Sequence, residues 1–525
     1  MSAKSRYDRL SSDRSQFLNT ARQAADLTLP YLIREDEVYT KGSRKLITPW
    51  QSVGAKGVVT LASKLMLALL PPQTSFFKLQ VNDINLGEEL GPEIRSELDL
   101  SFAKIERTIM ESIAASGDRV VVHQALKHLV VAGNALVFMG KDGLKLYPLN
   151  RYVVDRDGNG NVIEIVTKET ISKKLLKKFY PDYKTEQPNS PSDNASRHDD
   201  ECDIYTHVVL DNNRWVWHQE VEDQVLPKSM SKAPVDANPW LVLRFNHVDG
   251  EVYGRGRVEE FIGDLKSLEA LSQAIIEGSA AAAKVVFTVS PSSTTKPATL
   301  AKAGNGAIIQ GRPDDIGVVQ VGKTADFQTA YQMIGSLTQR LNEAFLVLNV
   351  RDSERTTAEE VRMTQLELEQ QLGGLFSLLT VEFLVPYLNR ILNVAQKTGE
   401  IPRLPKGDIV KPTIVAGINA LGRGQDRESL AQFMTVIAQT IGPEAIQQFI
   451  NTDEVIKRLA AASGIDVLNL VKSMEERQAE EQQAMGQQQQ MMAMQQEPQM
   501  AAIDQKREQA AMQMMQQQPP LPPEE

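Results

Sequence analysis

The sequence predicts a mainly helical α+β protein organised around one long helical hairpin. Three observations predict it. Apolar residues recur at helical spacing in two stretches, Val258, Phe261, Ile262, Leu265, Leu268, Leu271, Ile275 and then Phe327, Tyr331, Ile334, Leu337, Leu341, Phe345, Leu348. A short β-like segment, 284–323, separates them, with strand-like runs at 285–289, 307–309 and 318–321 and a possible helical turn at 299–302. Upstream, residues 136–245 change texture to short strands broken by Gly, Asn and Asp. Two helices of about 25 residues each reach roughly 38 Å at about 1.5 Å per residue. A hairpin of that length, with a small lobe at its tip, suits a wall shared among identical subunits better than a compact monomer.

In chain order, 11–29 reads as a helix with Phe17, Leu18, Ala21, Ala25 and Leu29 on one face, closed by Pro30. Thr48-Pro49 has the form of an N-cap with proline at the first helical position. It opens a helix over 50–70 that buries Val53, Val58, Leu61, Leu65 and Leu69 and stops at Pro71-Pro72. A strand at 76–81 precedes helices at 92–114 and 118–132. Strands follow at 136–139, 144–147, 152–155 and 162–168, then a brief basic helix at 172–180. Residues 181–200, rich in Ser, Asn, Asp and Pro, read as an exposed insert. Strands resume at 204–210 and 215–219, joined through Asp211-Asn212-Asn213, and again at 241–245. After the hairpin, a charged loop Asn349-Val350-Arg351-Asp352-Ser353-Glu354-Arg355 leads into a very long helix. Thr356 with Glu359, or Thr357 with Glu360, forms its capping box. Gly373-Gly374 and Pro386 are its expected kinks. A Pro-punctuated connector, 399–412, and further helices from 427 onward complete the ordered part. From 478 the chain is Gln- and Met-rich and lacks the residues to bury a core.

Composition bounds the function. At 525 residues the chain is long enough for several domains, and 42% hydrophobic content supports large cores. The net charge of −10 argues against a protein built to grip nucleic acid. With Cys202 alone, no intrachain disulfide can form. The N-terminus is polar, and the most apolar run, 58–70, is too short to span a bilayer and carries Lys64, so no membrane is expected.

Candidate chemistry is sparse. Asp155-Arg156-Asp157-Gly158-Asn159-Gly160-Asn161 has the start of a calcium loop, but Val166 stands where the bidentate glutamate belongs, and a β-turn is favoured. Gly254-Arg255-Gly256-Arg257 lacks the Gly-Lys-Ser/Thr of a phosphate loop and reads as a tight entry to a helix, with Arg255 and Arg257 as alternative interface residues. Six histidines, His123, His128, His198, His207, His218 and His247, form no metal spacing. No constellation for catalysis is found, and no cofactor or metal is expected.

Particular stretches also carry a resemblance. Tyr253-Gly254-Arg255-Gly256 and the run 259–269 resemble the start of the stem of a phage portal protein, the head-to-tail connector of short-tailed phages. Thr357-Ala358-Glu359-Glu360-Val361 with Gly373-Gly374 resembles that family's long helix, and Gly422-Arg423-Gly424-Gln425-Asp426 the segment after it. Gln51-Ser52-Val53-Gly54-Ala55-Lys56-Gly57, Leu129-Val130-Val131-Ala132-Gly133-Asn134 and Tyr152-Val153-Val154 match too. The matches are dispersed over roughly 10–470.

The resemblance implies a division into a wing (1–253), stem helix 1 (254–283), clip (284–323), stem helix 2 (324–348), channel loop (349–355), long kinked wing helix (356–398), helical crown (399–477) and tail (478–525). It implies a ring of twelve subunits at one capsid vertex of the virion, assembled in the host cytoplasm. Such a ring would conduct double-stranded DNA in packaging and ejection. It would nucleate capsid assembly with scaffold and major capsid protein, and dock terminase, then tail adaptor and internal core proteins. On that reading Arg351, Asp352, Glu354 and Arg355 belong to the channel loop. Lys296, Lys302, Arg312, Arg340 and Glu343 are candidates to face DNA or tail proteins, and Gly373 and Gly374 to kink the long helix. The alternatives are a packaging ATPase or nuclease, and a monomeric helical scaffold or adaptor.

Overall fold

A computed structural model describes residues 2–33, 48–72, 75–81, 92–183, 201–282, 286–292, 296–304, 316–319, 324–347, 373–404, 410–414 and 423–440, with single positions and short pieces elsewhere. It is a mixed helix-and-sheet protein. The chain divides into two units, Met1–Gly422 and Arg423–Glu525.

The first unit begins with α1 (Ala3–Asp26), α2 (Val53–Leu69), β1 (Phe77–Val81), α3 (Pro92–Ala115) and α4 (Asp118–Ala132). Strands β2 (Asn134–Gly140), β3 (Gly143–Tyr147), β4 (Tyr152–Arg156) and β5 (Val162–Ser172) lead to α5 (Lys173–Phe179). Then come β6 (Glu201–Asp211), β7 (Arg214–Val221), β8 (Gln224–Val225), β9 (Ser231–Pro234) and β10 (Trp240–Arg244). The hairpin is a short helix α6 (Arg257–Glu260), α7 (Ile262–Ala282), β11 (Val286–Val289), α8 (Pro297–Lys302), β12 (Ile316–Val319) and α9 (Thr324–Ala344). Helix α10 (Gly373–Thr398) and β13 (Val410–Ile414) close the unit. In the second unit α11 (Arg423–Thr440) is described.

Helix α1 starts at Ala3, well before the expected residue 11. Ser2 caps it, its Oγ accepting from the Ser5 amide at 3.4 Å, and Ala3, Tyr7, Leu10 and Arg14 extend the buried face through the first three turns. Helix α2 opens at Val53, not at Thr48-Pro49. Gln51 does the capping, its Oε1 accepting from the Gly54 amide at 2.9 Å while its Nε2 donates to the Leu27 carbonyl at 2.7 Å. The Glu269 carboxylate of α7 takes the amides of Trp50 and Gln51 at 2.8 and 3.3 Å, so the hairpin itself finishes this helix end.

Helix α4 is the hub, packing on α1, α2, α6, β2 and β3. It ends at Gly133, whose φ of +72° is a left-handed cap that a side chain would resist. Three antiparallel strands, ordered β10-β2-β3, lie against it. A second antiparallel sheet runs β4-β5-β6-β7-β8, with β9 also on β7. The turn joining β6 to β7 places Asn212 and Asn213 at φ 45° and 61°, the left-handed pair that a two-residue hairpin requires and that Asn tolerates. Strands β8 and β9 were not expected from sequence. The Asp157 loop is a turn, as expected: its Oδ1 accepts from the Asn159 and Asn161 amides at 2.9 and 2.7 Å.

One hydrophobic cluster runs from α1 through α2, α3 and α4 into the three-stranded sheet, the inner ends of α7 and α9, and α10. By length and composition α10 is apolar enough to cross a bilayer. Its apolar side instead fills this cluster through Phe376, Leu379, Phe383, Leu384, Tyr387, Leu388 and Leu392. Residues 410–414, which begin inside the connector read at 399–412, form β13 and pair antiparallel with β1, Phe77 opposite Ile414. Residues 184–200 of the exposed insert, the channel loop and 356–372 lie outside the described residues.

Candidate functional site

Helices α7 and α9 are each 21 residues, about 32 Å long at about 1.5 Å per residue. They run antiparallel. Near the inner end Arg340 Nη2 donates to Asp264 Oδ1 at 3.2 Å; near the outer end the Phe327 ring covers Gly278, where an added Cβ would stand 2.7 Å from it. Gly278 therefore lets the two helices approach.

Burial along this hairpin is lopsided. Leu265, Leu268, Leu337 and Leu341 at the inner end are at most 5% exposed. Towards the outer end Ile276, Tyr331 and Met333 are 48%, 73% and 53% exposed. The inner end is packed into the core of its own chain, whereas the outer end displays an apolar surface that one chain does not cover. At the tip β11 and β12 pair antiparallel, Val286 opposite Val319. The expected strand at 307–309 is not seen where described: Ile308 is exposed and outside any strand, and 307 and 309 are outside the described residues. Lys296, Lys302 and Arg312 are exposed on this lobe.

The inner end of the hairpin is locked at two points. The first is a glycine-lined crossing. Asn134 Nδ2 donates to the Gly254 carbonyl at 2.7 Å, and the Gly254 amide donates back to Asn134 Oδ1 at 2.7 Å. A Cβ on Gly256 would stand 2.8 Å from the Val131 carbonyl oxygen, and one on Gly254 2.8 Å from that of Gly133. The Arg255 amide is bonded to the Asn246 carbonyl. These amides are committed to backbone and side chain, which explains why the glycine run is a crossing and not a phosphate cradle. Arg255 joins Glu251 and Glu259 and lies over the Phe17 ring; Arg257 joins Glu260 at 2.7 Å. Both arginines are paired with acidic residues of their own chain.

The second lock is at the end of α9. Lys64 Nζ donates to the Leu346 carbonyl at 2.6 Å, and Arg257 Nε to the Ala344 carbonyl at 3.2 Å. Two cations thus take carbonyls at the negative end of the helix, where positive charge is favoured. Burial pushes the Lys64 ammonium down from its ordinary value. Leu346 sits at φ 56°, an unusual position for a bulky residue, and these contacts hold it there. Sequence pattern offered no signal for either cation, because each acts over a long separation. Arg340 and Glu343 are exposed on α9; Arg340 spans to Asp264, and Glu343 Oε1 accepts from Gln339 Nε2 at 3.1 Å.

The description of α10 begins at Gly373. Within its described residues the helix departs from α-geometry at Thr380–Leu384, one turn of π-helix just ahead of Pro386; the residues before Gly373-Gly374, where the other kink is expected, lie outside the described residues. Pro386 has no N–H to continue the ladder, and a wider turn absorbs the defect. Glu382 in this turn reaches Arg244, which sequence reasoning missed entirely. Among the described residues no group of three His, Cys, Asp or Glu side chains is placed to hold a metal. His207 and His218 hydrogen-bond instead to Glu164 and Glu220, at 2.7 and 2.8 Å.

The portal protein of Enterobacteria phage T3 is 38% identical over 487 residues, 91% of this chain and 89% of that protein. The portal protein of Escherichia phage T7 is 37% identical over 498 residues, 92% and 91% of the two chains. Among solved structures, the neck of an empty gene transfer agent particle overlays with a TM-score of 0.38 at 11% identity, covering 78% of this chain and 90% of that one. Residues 1–471 match the family described as bacteriophage head to tail connecting protein, and the chain belongs to that family.

Proposed function

We propose that this chain is the subunit of a portal ring, the head-to-tail connector of a phage particle. The observation that carries the reading is the half-covered hairpin: a rigid, locked inner end and an outer end whose Ile276, Tyr331 and Met333 need a neighbour. Twelve copies around an axis would supply that neighbour on both sides. The ring would sit at one vertex of the virion, nucleate capsid assembly, dock terminase, and later hold the tail. The work is mechanical, and the terminase would hydrolyse the ATP.

Charge supports a conduit. Each chain carries −10, so twelve would carry about −120, while duplex DNA presents one phosphate per about 1.7 Å. Such a wall holds DNA weakly and lets it slide. On this reading Lys296, Lys302 and Arg312 would meet DNA or tail proteins, and Arg351, Asp352, Glu354 and Arg355 would form a soft gate. The packaging-enzyme and monomeric-adaptor alternatives are not favoured by membership of this family.

The test is sedimentation and electron microscopy of the purified protein. Rings with an axial hole are expected. Monomer alone at micromolar concentration would overturn the reading, as would ATPase or nuclease activity that a point substitution abolishes.

A further inference from the structure

Helix α5 lies on the second sheet, away from the hairpin. It follows β5 directly, with Ser172 Oγ accepting from the Lys174 amide at 3.3 Å. Leu176 anchors it, buried in a satellite cluster with Tyr183, Cys202, Ile204, Val221 and Leu226. The Tyr180 hydroxyl adds a hydrogen bond to Gln219 Oε1. The helix is therefore held on the second sheet. Its outer side combines two kinds of group. Leu175 and Phe179, one helical turn apart, are 48% and 67% exposed. Lys174 and Lys178, also one turn apart, flank that ridge, and both are exposed together with Lys177. At 100° per residue, Lys174 and Lys178 point away from Leu176, while Leu175 and Phe179 form the adjoining stripe.

A solvated basic helix needs lysines; it does not need an exposed Phe beside them. Burying Leu175 and Phe179 would be favourable, and the flanking ammonium groups select for negative charge. In a chain of net charge −10 such a concentrated basic surface stands out. We propose that α5 is a docking surface for an acidic amphipathic helix of a partner protein, whose apolar face covers Leu175 and Phe179 while its carboxylates meet Lys174 and Lys178. Duplex DNA fits the lysines but leaves the apolar ridge without a partner. A second copy of the chain meeting α5 through the same face would set like-charged lysines against each other; one meeting it through another face would show as self-association that depends on both pairs of residues.

The test uses the purified full chain and a fluorescein-labelled 18-residue amphipathic peptide with glutamates on its polar face. A scrambled peptide, a lysine-faced peptide and a 20-base-pair duplex serve as controls, read by anisotropy at low and moderate salt. The acidic amphipathic peptide is expected to bind alone among these. L175S/F179S should weaken it tenfold or more, and K174E/K178E should do the same and remove most of its salt dependence. Circular dichroism and oligomeric state should stay unchanged in both variants. Equal binding by wild type and both variants would overturn the proposal, as would no peptide binding at all. Duplex binding lost with K174E/K178E but kept with L175S/F179S would replace it with a nucleic-acid surface. Self-association that depends on both pairs would replace it with a contact between copies. The assay does not require a ring, so its failure leaves the portal reading standing.

Discussion

Arg244 holds Glu382 through three donors: its backbone amide reaches Oε2 at 2.8 Å, and its Nε and Nη2 reach Oε1 at 2.8 and 2.6 Å. This fork fastens the π-turn of α10 to the edge of the three-stranded sheet. Arg156 stands 3.9 Å from the same carboxylate. Burial and the like charge of Arg244 draw Arg156 down to about 10, with Glu382 pulling the other way. Removing the carboxylate strands two buried cations. Glu382→Ala should therefore cost about 3–5 kcal/mol, seen as a lower thermal midpoint. The double variant Arg244→Met with Glu382→Leu should lie nearer wild type than the sum of the single changes; simple additivity would show that the fork is not coupled.

Gly57 tests the lock between α2 and the hairpin. A Cβ there would stand 2.6 Å from Phe345 Cγ and 2.9 Å from Phe345 Cβ, atoms too near the backbone to swing aside. Gly57→Val should cost about 1–3 kcal/mol of overpacking, measured by urea unfolding. An unchanged midpoint would mean that the end of α9 yields more easily than its two cation contacts suggest.

Acid should weaken the fold in two separate windows. Burial pushes the His128 imidazole down to about 4 from 6.5, and its Nδ1 has no hydrogen-bond partner among the described residues. The unfolded chain binds that proton first, so stability is full above pH 6.5 and declines as pH falls to about 4. Burial works to raise the Glu164 carboxyl, but hydrogen bonds from Arg6 and His207 hold it at about 2. Its contribution is present above pH 4.5 and is lost as pH falls through 2. His128→Leu should flatten the upper window and leave the lower one. Unfolding midpoints at pH 7, 5 and 3 read both, and an unchanged drop between pH 7 and 5 would place the sensitivity elsewhere.

Truncation after Gln478 should leave ring assembly intact, because the Gln/Met-rich tail lacks core residues. Loss of soluble rings, seen by size exclusion and microscopy, would make the tail structural.

Replacing 351–354 with a short Gly/Ser linker should preserve assembly and stability while impairing packaging or retention of the genome. A solvent-exposed ion pair is worth about 0–1 kcal/mol, so pairs formed among Arg351, Asp352, Glu354 and Arg355 would suit a gate that moves. Particles that fill and hold full-length DNA with the linker in place would reduce this loop to a connector.

The hairpin was legible because Leu265, Leu268, Leu337 and Leu341 repeat at helical spacing, a signal contained within each element. The first two turns of α1 were not. Among residues 3–10 only Ala3, Tyr7 and Leu10 are apolar, set among Lys4, Arg6, Asp8 and Arg9, too few to mark a repeating face. Strand β13 contains Lys411 and Pro412 and so reads as a connector, although proline is tolerated on an edge strand. The cap that Glu269 gives α2 and the Arg244–Glu382 fork each join residues far apart in sequence. No local window contains both partners, so neither contact leaves a trace in spacing.

The pairing of β1 with β13 also sets a schedule for synthesis. Phe77 leaves the ribosome 337 residues before its partner Ile414. At about 5–20 residues per second, the nascent chain waits roughly 20–70 s before β1 acquires a partner strand. Until then one edge of this strand presents unpaired amides and carbonyls, a template for mispairing with other chains. Each subunit thus completes its first unit only once about four-fifths of these 525 residues have been made, which delays its readiness for ring assembly until then.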